Sequence, residues 1–198
     1  LKVGAQAIPA LGLETTLYEL DIHKHRNNDC YYHIGFAYEI ASILNRKVKL
    51  PDMSYKTNDD DVSNYLSLEV DTPKCPYYTG RMATNLTIKE SPEFIKKRLL
   101  AAGMHPINNV VDISNYVMLE FGQPLHFFDK DTLGEKILVR NAYEDEKLVT
   151  LDNNERTLKP SDIVITDGKK PICLAGVMGG LDTEVTSKTK NIFMEAAI

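Results

Sequence analysis

The sequence predicts an α+β protein, with a helical leading segment ahead of a mixed-sheet domain that carries a few helices. Three observations support this. Residues 28–45 place Ile34, Ala37, Tyr38, Ala41 and Leu44 at helical spacing, with Asn28 or Asp29 available as a cap. SPEFIKKRLLAAG reads as a complete helix: Ser91 caps it, Pro92 fits its first position, and Gly103 ends it. From residue 136 onward, short apolar runs alternate with turn residues.

Each element has a local reason. NRKVKLPD breaks the first helix, with Pro51 as punctuation. The acidic, polar stretch DMSYKTNDDDVS reads as a connector holding a domain boundary. YLSLEV and YYTGRMATNLTI read as strands. KILVRNA, KLVTLDNNERTL, DIVITDGKKPICLAGVMGG and NIFMEAAI supply the later strands, with hairpin connections at Asp167-Gly168 and between Asp152 and Glu155.

Bulk properties narrow the class. The 198 residues are 43% hydrophobic and 26% charged, which suits one large or two modest folded domains. No apolar run approaches the ~20 residues that span a bilayer, and no basic-then-apolar secretory signal opens the chain, so no membrane is expected. Three scattered cysteines, Cys30, Cys75 and Cys173, form no disulfide framework and suit the reducing cytoplasm. A net charge of −5 argues against a surface that grips nucleic acid everywhere, though not against one that touches only an RNA end.

Several candidate chemistries can be weighed on spacing. His23, His25, Cys30 and His33 match no standard zinc pattern, and surface or helix-packing roles are expected for them. Cys75 and Cys173 have no histidine beside them in sequence and read as inert core thiols. LAGVMGG lacks the GK[ST] ending of a phosphate loop and implies only a close backbone approach. The dense region is HPINNVVDISNYVMLEFGQPLHFFD, where polar groups interleave with apolar ones. Buried unpaired, such groups cost free energy. Either Asn109 and Asp112 cap turns and His126 is a satisfied core histidine, or these residues line a pocket.

PINNVVDISNYVMLEFGQPLHFFD closely resembles the PxNNVVDxTNYVMLExGQPLHAFD segment of bacterial phenylalanyl-tRNA synthetase β subunits. The resemblance continues in order through KLVTLDNNERTL, DIVITDG, CLAGVMGG and NIFMEAA. It extends back to residues 17–51, which are similar to the family's DCxxxxGxAxEIA helix. It implies part of a B1 domain over residues 1–51, a connector over 52–74, and a B3/4 editing domain over 75–198 that is truncated at its C-terminus, because the family continues into a TDASxRFE segment. It also implies that ATP and magnesium serve the α subunit's synthetic site, leaving this fragment without a cofactor.

The implied activity is hydrolysis of tyrosine wrongly attached to tRNA(Phe). The implied site has His126, Ser114 and Asn115 as catalytic or orienting residues, Gly176 and Gly179 walling the amino-acid pocket, and Glu195 reading the tyrosine hydroxyl. Two departures stand out: serine replaces the usual threonine at Ser114, and CPYY replaces CPRY, so Tyr77 stands where an arginine is common. The implied partners are the 3′ end of tRNA(Phe), the α subunit and the remaining β-subunit domains in an α2β2 assembly. Two alternatives to active editing remain: a structural, tRNA-docking module that is inactive alone, and a freestanding trans-editing hydrolase.

Overall fold

The computed structural model describes residues 2–12 and 14–198, and the chain divides into two compact units. The first combines residues 1–51 with 90–123, and the second combines 52–89 with 124–198. This division is not the linear one expected from the sequence. Residues 90–123 leave the second unit and return to it, and the expected 52–74 connector already contains a sheet strand.

The first unit is helical: α1 (Ala7–Ala10), α2 (Asn27–Cys30), α3 (His33–Ile43), α4 (Glu93–Ala101) and α5 (Asn109–Phe121). The single helix expected over residues 28–45 is broken. Tyr32 is extended (φ −142°, ψ 156°) and starts α3 without a side-chain cap. Asp29 does not cap because Arg26 holds its carboxylate, donating at 2.9 Å. The chain folds back tightly here: a Cβ on Gly35 would lie 1.8 Å from the Asp29 carbonyl oxygen.

Ser91 also departs from expectation. Pro92 occupies the N-cap position of α4, and no side chain caps that helix. The Ser91 hydroxyl instead donates to Asp112 Oδ2, while the Ile107 amide donates to Asp112 Oδ1 at 2.7 Å. Asp112 is thus fully buried with both oxygens engaged. Asn108, not Asn109, caps α5, accepting from the Val110 and Val111 amides at 3.0 Å. No helix was expected over the 13 residues of α5, although their apolar side chains recur at helical spacing. Gly122 ends it at φ 78°, where any side chain would also strike the Tyr32 ring.

The second unit holds the sheets. A five-stranded mixed sheet has β1 (Ser67–Asp71), β4 (Lys136–Asn141), β7 (Ile163–Thr166), β8 (Pro171–Leu174) and β9 (Met178–Gly179) side by side in that order. β1 pairs parallel with β4 and the rest are antiparallel. A three-stranded antiparallel sheet places β10 (Ile192–Ala197) between β2 (Tyr78–Ala83) and β3 (His126–Asp129). The hairpin expected around residues 152–155 forms between β5 (Lys147–Val149) and β6 (Glu155–Thr157). A short helix, α6 (Lys130–Leu133), follows β3 directly.

Phe128, Leu133, Ile137, Val139, Ile165, Ile172 and Phe193 join the two larger sheets in one buried cluster. Two polar anchors fix its edges. Buried Asp129 accepts from the Thr189 hydroxyl and from the Asp131 amide, which starts α6. Arg140 forms a two-pronged ion pair with Glu146 at 2.7 and 2.8 Å and lies over the Tyr143 ring.

The Asp112 arrangement gives a direct test. Ser91→Ala leaves one oxygen of a buried carboxylate without its donor and should destabilise the protein by about 1–3 kcal/mol. The expected readout is a lower urea midpoint at an unchanged slope, followed by circular dichroism.

Candidate active site

Strand periodicity builds the site. Residues directly opposite across antiparallel strands project from the same face. Glu195 on β10 lies opposite His126 on β3 and Gly80 on β2. The same face therefore carries Tyr78, Gly80 and Met82 from β2, Phe193, Glu195 and Ala197 from β10, and His126 and Phe128 from β3. The other face carries Arg81, which lies under the Tyr55 ring.

The first face opens on a cavity of about 610 Å³. His126, Gly176, Gly179 and Glu195 all line it, four of the six residues singled out from the sequence. Ser114 and Asn115 are not in that lining. They sit half-buried on α5, in the first unit. Much of the remaining wall is aliphatic, including Val139, Leu151, Ile163 and Ile165.

Glycines shape the wall at two points. A Cβ on Gly179 would come within 2.6 Å of the His126 ring, so the imidazole rests directly against the backbone of β9. Gly80 gives the Phe193 ring its place beside Glu195, since a Cβ there would lie 2.2 Å from that ring. Gly176 adopts φ 69° in the turn closed by the Val177 amide on the Leu174 carbonyl at 3.0 Å. The Val177 and Gly180 amides are both engaged, on Leu174 and Ile172, which removes them as oxyanion donors.

Burial sets the electrostatics. It pushes the Glu195 carboxyl up to about 7, against a smaller downward pull from the Tyr78 phenol. It lowers His126 to about 4, so its imidazole is neutral at pH 7. Glu195 Oε2 and Tyr78 Oη are both buried without a hydrogen-bond partner. Tyr78 is thus near enough to influence the carboxyl without being aligned to satisfy it.

Sequence reasoning passed over Tyr78 and dwelt on Tyr77, which is largely exposed. The signal was available: period-two alternation through YYTGRMA places Tyr78, Gly80 and Met82 on one face. Cys75 and Cys173 also line the cavity, and burial raises both thiols, which keeps them protonated. His23 and His25 stack 5.7 Å apart, and among the described residues no three His, Cys, Asp or Glu side chains gather as a ligand set.

Comparison with known proteins agrees with this architecture. Residues 74–198 match the B3/4 domain family. The chain belongs to the B3/4 domain family. Beyond that domain, the chain is 49% identical over 197 residues to the phenylalanine–tRNA ligase β subunit of Geobacillus kaustophilus, covering 98% of this chain and 24% of that protein. The β subunit of Staphylococcus haemolyticus is 47% identical over 200 residues, covering all of this chain and 25% of that protein. The chain thus spans about a quarter of the length of the relatives it matches.

An N-terminal fragment of the phenylalanyl-tRNA synthetase β subunit from Pyrococcus horikoshii shares the fold. It superposes with a TM-score of 0.50 at 18% identity, over 89% of this chain and 54% of that one. No described helix of this B3/4 protein is long and apolar enough to cross a membrane.

The raised Glu195 value predicts a pH signature. Folded protein binds this proton more tightly than unfolded protein, whose carboxyl titrates near 4.5. Stability from this group is therefore complete below 4.5 and is lost as pH rises through about 7. Glu195→Gln removes the charged form. Between about pH 5 and about pH 8, the variant should gain on the parent by on the order of 2 kcal/mol in urea unfolding. His126 contributes an opposite slope, but it is common to both proteins and cancels.

Proposed function

We propose that the cavity is a post-transfer editing site, hydrolysing the ester that joins misattached tyrosine to the 3′ end of tRNA(Phe). The observation that carries this reading is Glu195: a buried, unpartnered carboxyl oxygen in an otherwise largely apolar cavity. Such a group is costly unless a ligand supplies a donor. A tyrosine phenol supplies one and phenylalanine does not.

The logic inverts that of a synthetic pocket. An apolar site that accepts phenylalanine rejects an added hydroxyl by only ~10²-fold, so tyrosine errors need a second sieve. Here phenylalanine would leave Glu195 buried and unpaired, which disfavours it in the site that destroys the ester.

The chemistry is attack of water on the aminoacyl carbonyl. His126 is neutral at pH 7, held against Gly179, and available to orient or polarise that water. Of the glycine-rich turn, the Gly176 amide is the better oxyanion candidate, because the Val177 and Gly180 amides already bond to carbonyls. The partners implied are tRNA(Phe), the α subunit and the rest of the β subunit, in the cytoplasm where tRNA is charged. ATP and magnesium belong to the synthetic site of that assembly and have no role in this step.

The test is deacylation of Tyr-tRNA(Phe) and Phe-tRNA(Phe) by the assembled ligase carrying Glu195→Ala. Preference for the tyrosyl ester should fall by about 1–3 kcal/mol, with the phenylalanyl rate little changed. An unaltered ratio of the two rates would remove Glu195 from recognition.

A further inference from the structure

Among the described residues, three buried side-chain polar atoms lack a hydrogen-bond partner: Tyr78 Oη, Thr183 Oγ1 and Glu195 Oε2. Two of the three belong to residues that line the same cavity. Their placement follows from strand register. Tyr78 lies opposite Ala197, and Glu195 lies opposite Gly80, so the two side chains are diagonal neighbours on one face. Gly80, between them on β2, contributes no side chain to separate them.

Their hydrogen-bonding capacities are complementary: the Tyr78 phenol lies close enough to act on the Glu195 carboxyl as a donor, yet neither Tyr78 Oη nor Glu195 Oε2 has a partner in full hydrogen-bond geometry. Burial and the nearby Glu195 push the Tyr78 phenol above its ordinary range, so it stays protonated and keeps a donor. The Glu195 carboxylate is an acceptor once its proton leaves. A group that met both at once would have to donate and accept through one small atom.

We propose that Tyr78 is a second specificity-determining residue of this cavity: one ligand hydroxyl donates to Glu195 and accepts from Tyr78, so the site selects a neutral aromatic hydroxyl. This deepens the editing reading above and rests on it for the identity of the ester. It adds a discrimination that Glu195 alone lacks. A carboxylate alone accepts from an aromatic amine as well as from a phenol, because both donate. An arylamine nitrogen is a poor acceptor, so Tyr78 separates the two. A methyl ether fails at Glu195 for the converse reason.

The titratable groups that line the cavity with the pair are His126 from β3, Cys173 from β8, and Cys75 and the exposed Lys74 ahead of β2. The uncharged ones are His126 and the two thiols. His126 is neutral above about pH 4, and burial keeps both thiols protonated, so these three put no competing charge on the hydroxyl site near neutrality.

Two measurements test this with Tyr78→Phe, which keeps the ring that packs against the core. In the assembled ligase, deacylation of Tyr-tRNA(Phe) should slow by about 3- to 10-fold in kcat/KM, the effect of one lost neutral hydrogen bond, while Phe-tRNA(Phe) is unaffected. The 198-residue chain can also be titrated with L-tyrosinamide, 4-aminophenylalaninamide and phenylalaninamide, followed by NMR. The parent should bind the phenol tighter than the amine, and Tyr78→Phe should erase that difference by weakening the phenol alone.

Equal loss for phenol and amine would overturn the proposal, since it would mean that Tyr78 merely orients Glu195. Equal loss on the tyrosyl and phenylalanyl esters would overturn it as a packing effect. If the ligase shows no tyrosyl preference but the chain still separates phenol from amine through Tyr78, the editing reading fails and the Tyr78 assignment stands. If Glu195→Ala abolishes tyrosyl preference while Tyr78→Phe leaves it intact, the editing reading stands and the Tyr78 assignment fails.

Discussion

Strand β10 carries the constraint on which the candidate site depends. It is the middle strand of its sheet, so Glu195 is held from both sides, by Gly80 on β2 and by His126 on β3. A central strand has no free edge along which to slip. A one-residue shift would turn every side chain to the opposite face, carrying Glu195 out of the cavity and Met194 into it. Phe193 resists such a shift: it is almost fully buried in the core that joins the two larger sheets. A buried phenylalanine two residues away thereby fixes the direction of the carboxyl.

The cost of that placement is electrostatic. Desolvation raises Glu195 and depresses His126, and neither shift is cancelled by a strong charge partner. Elsewhere in the second unit, charge is treated differently. Arg140 and Glu146 are similarly buried but meet in a two-pronged ion pair. The contrast separates a structural ion pair from a carboxyl held open, which is the pattern expected of a binding site.

Glycine does the complementary work of making room. At Gly80 and Gly179 any side chain would collide with a ring that shapes the cavity, Phe193 in one case and His126 in the other. At Gly176 the need is conformational rather than spatial, since a Cβ there would meet nothing but would be held at a positive φ. The glycine-rich segment accordingly brings backbone against a histidine ring.

Much of this was legible from sequence, because much of it is local. The α4 helix, the two hairpin connections and the period-two strands follow from short-range propensity, and the ordered motifs pointed to the B3/4 family. The pairing of Glu195 with His126, 69 residues apart, was expected only through that resemblance, since non-local register leaves no trace in a single strand. Other features were decided by tertiary structure alone. Ser91 serves Asp112 instead of capping its own helix, because a buried carboxylate needs its donors more than an exposed helix start does. Residues 90–123 group with the N-terminal unit, since α5 packs against both α3 and α4. Alternation along the strand places Tyr78 on the face of Gly80, but its pairing with Glu195 was decided only when β10 set the register, because two such groups define a site only once the fold has brought them together.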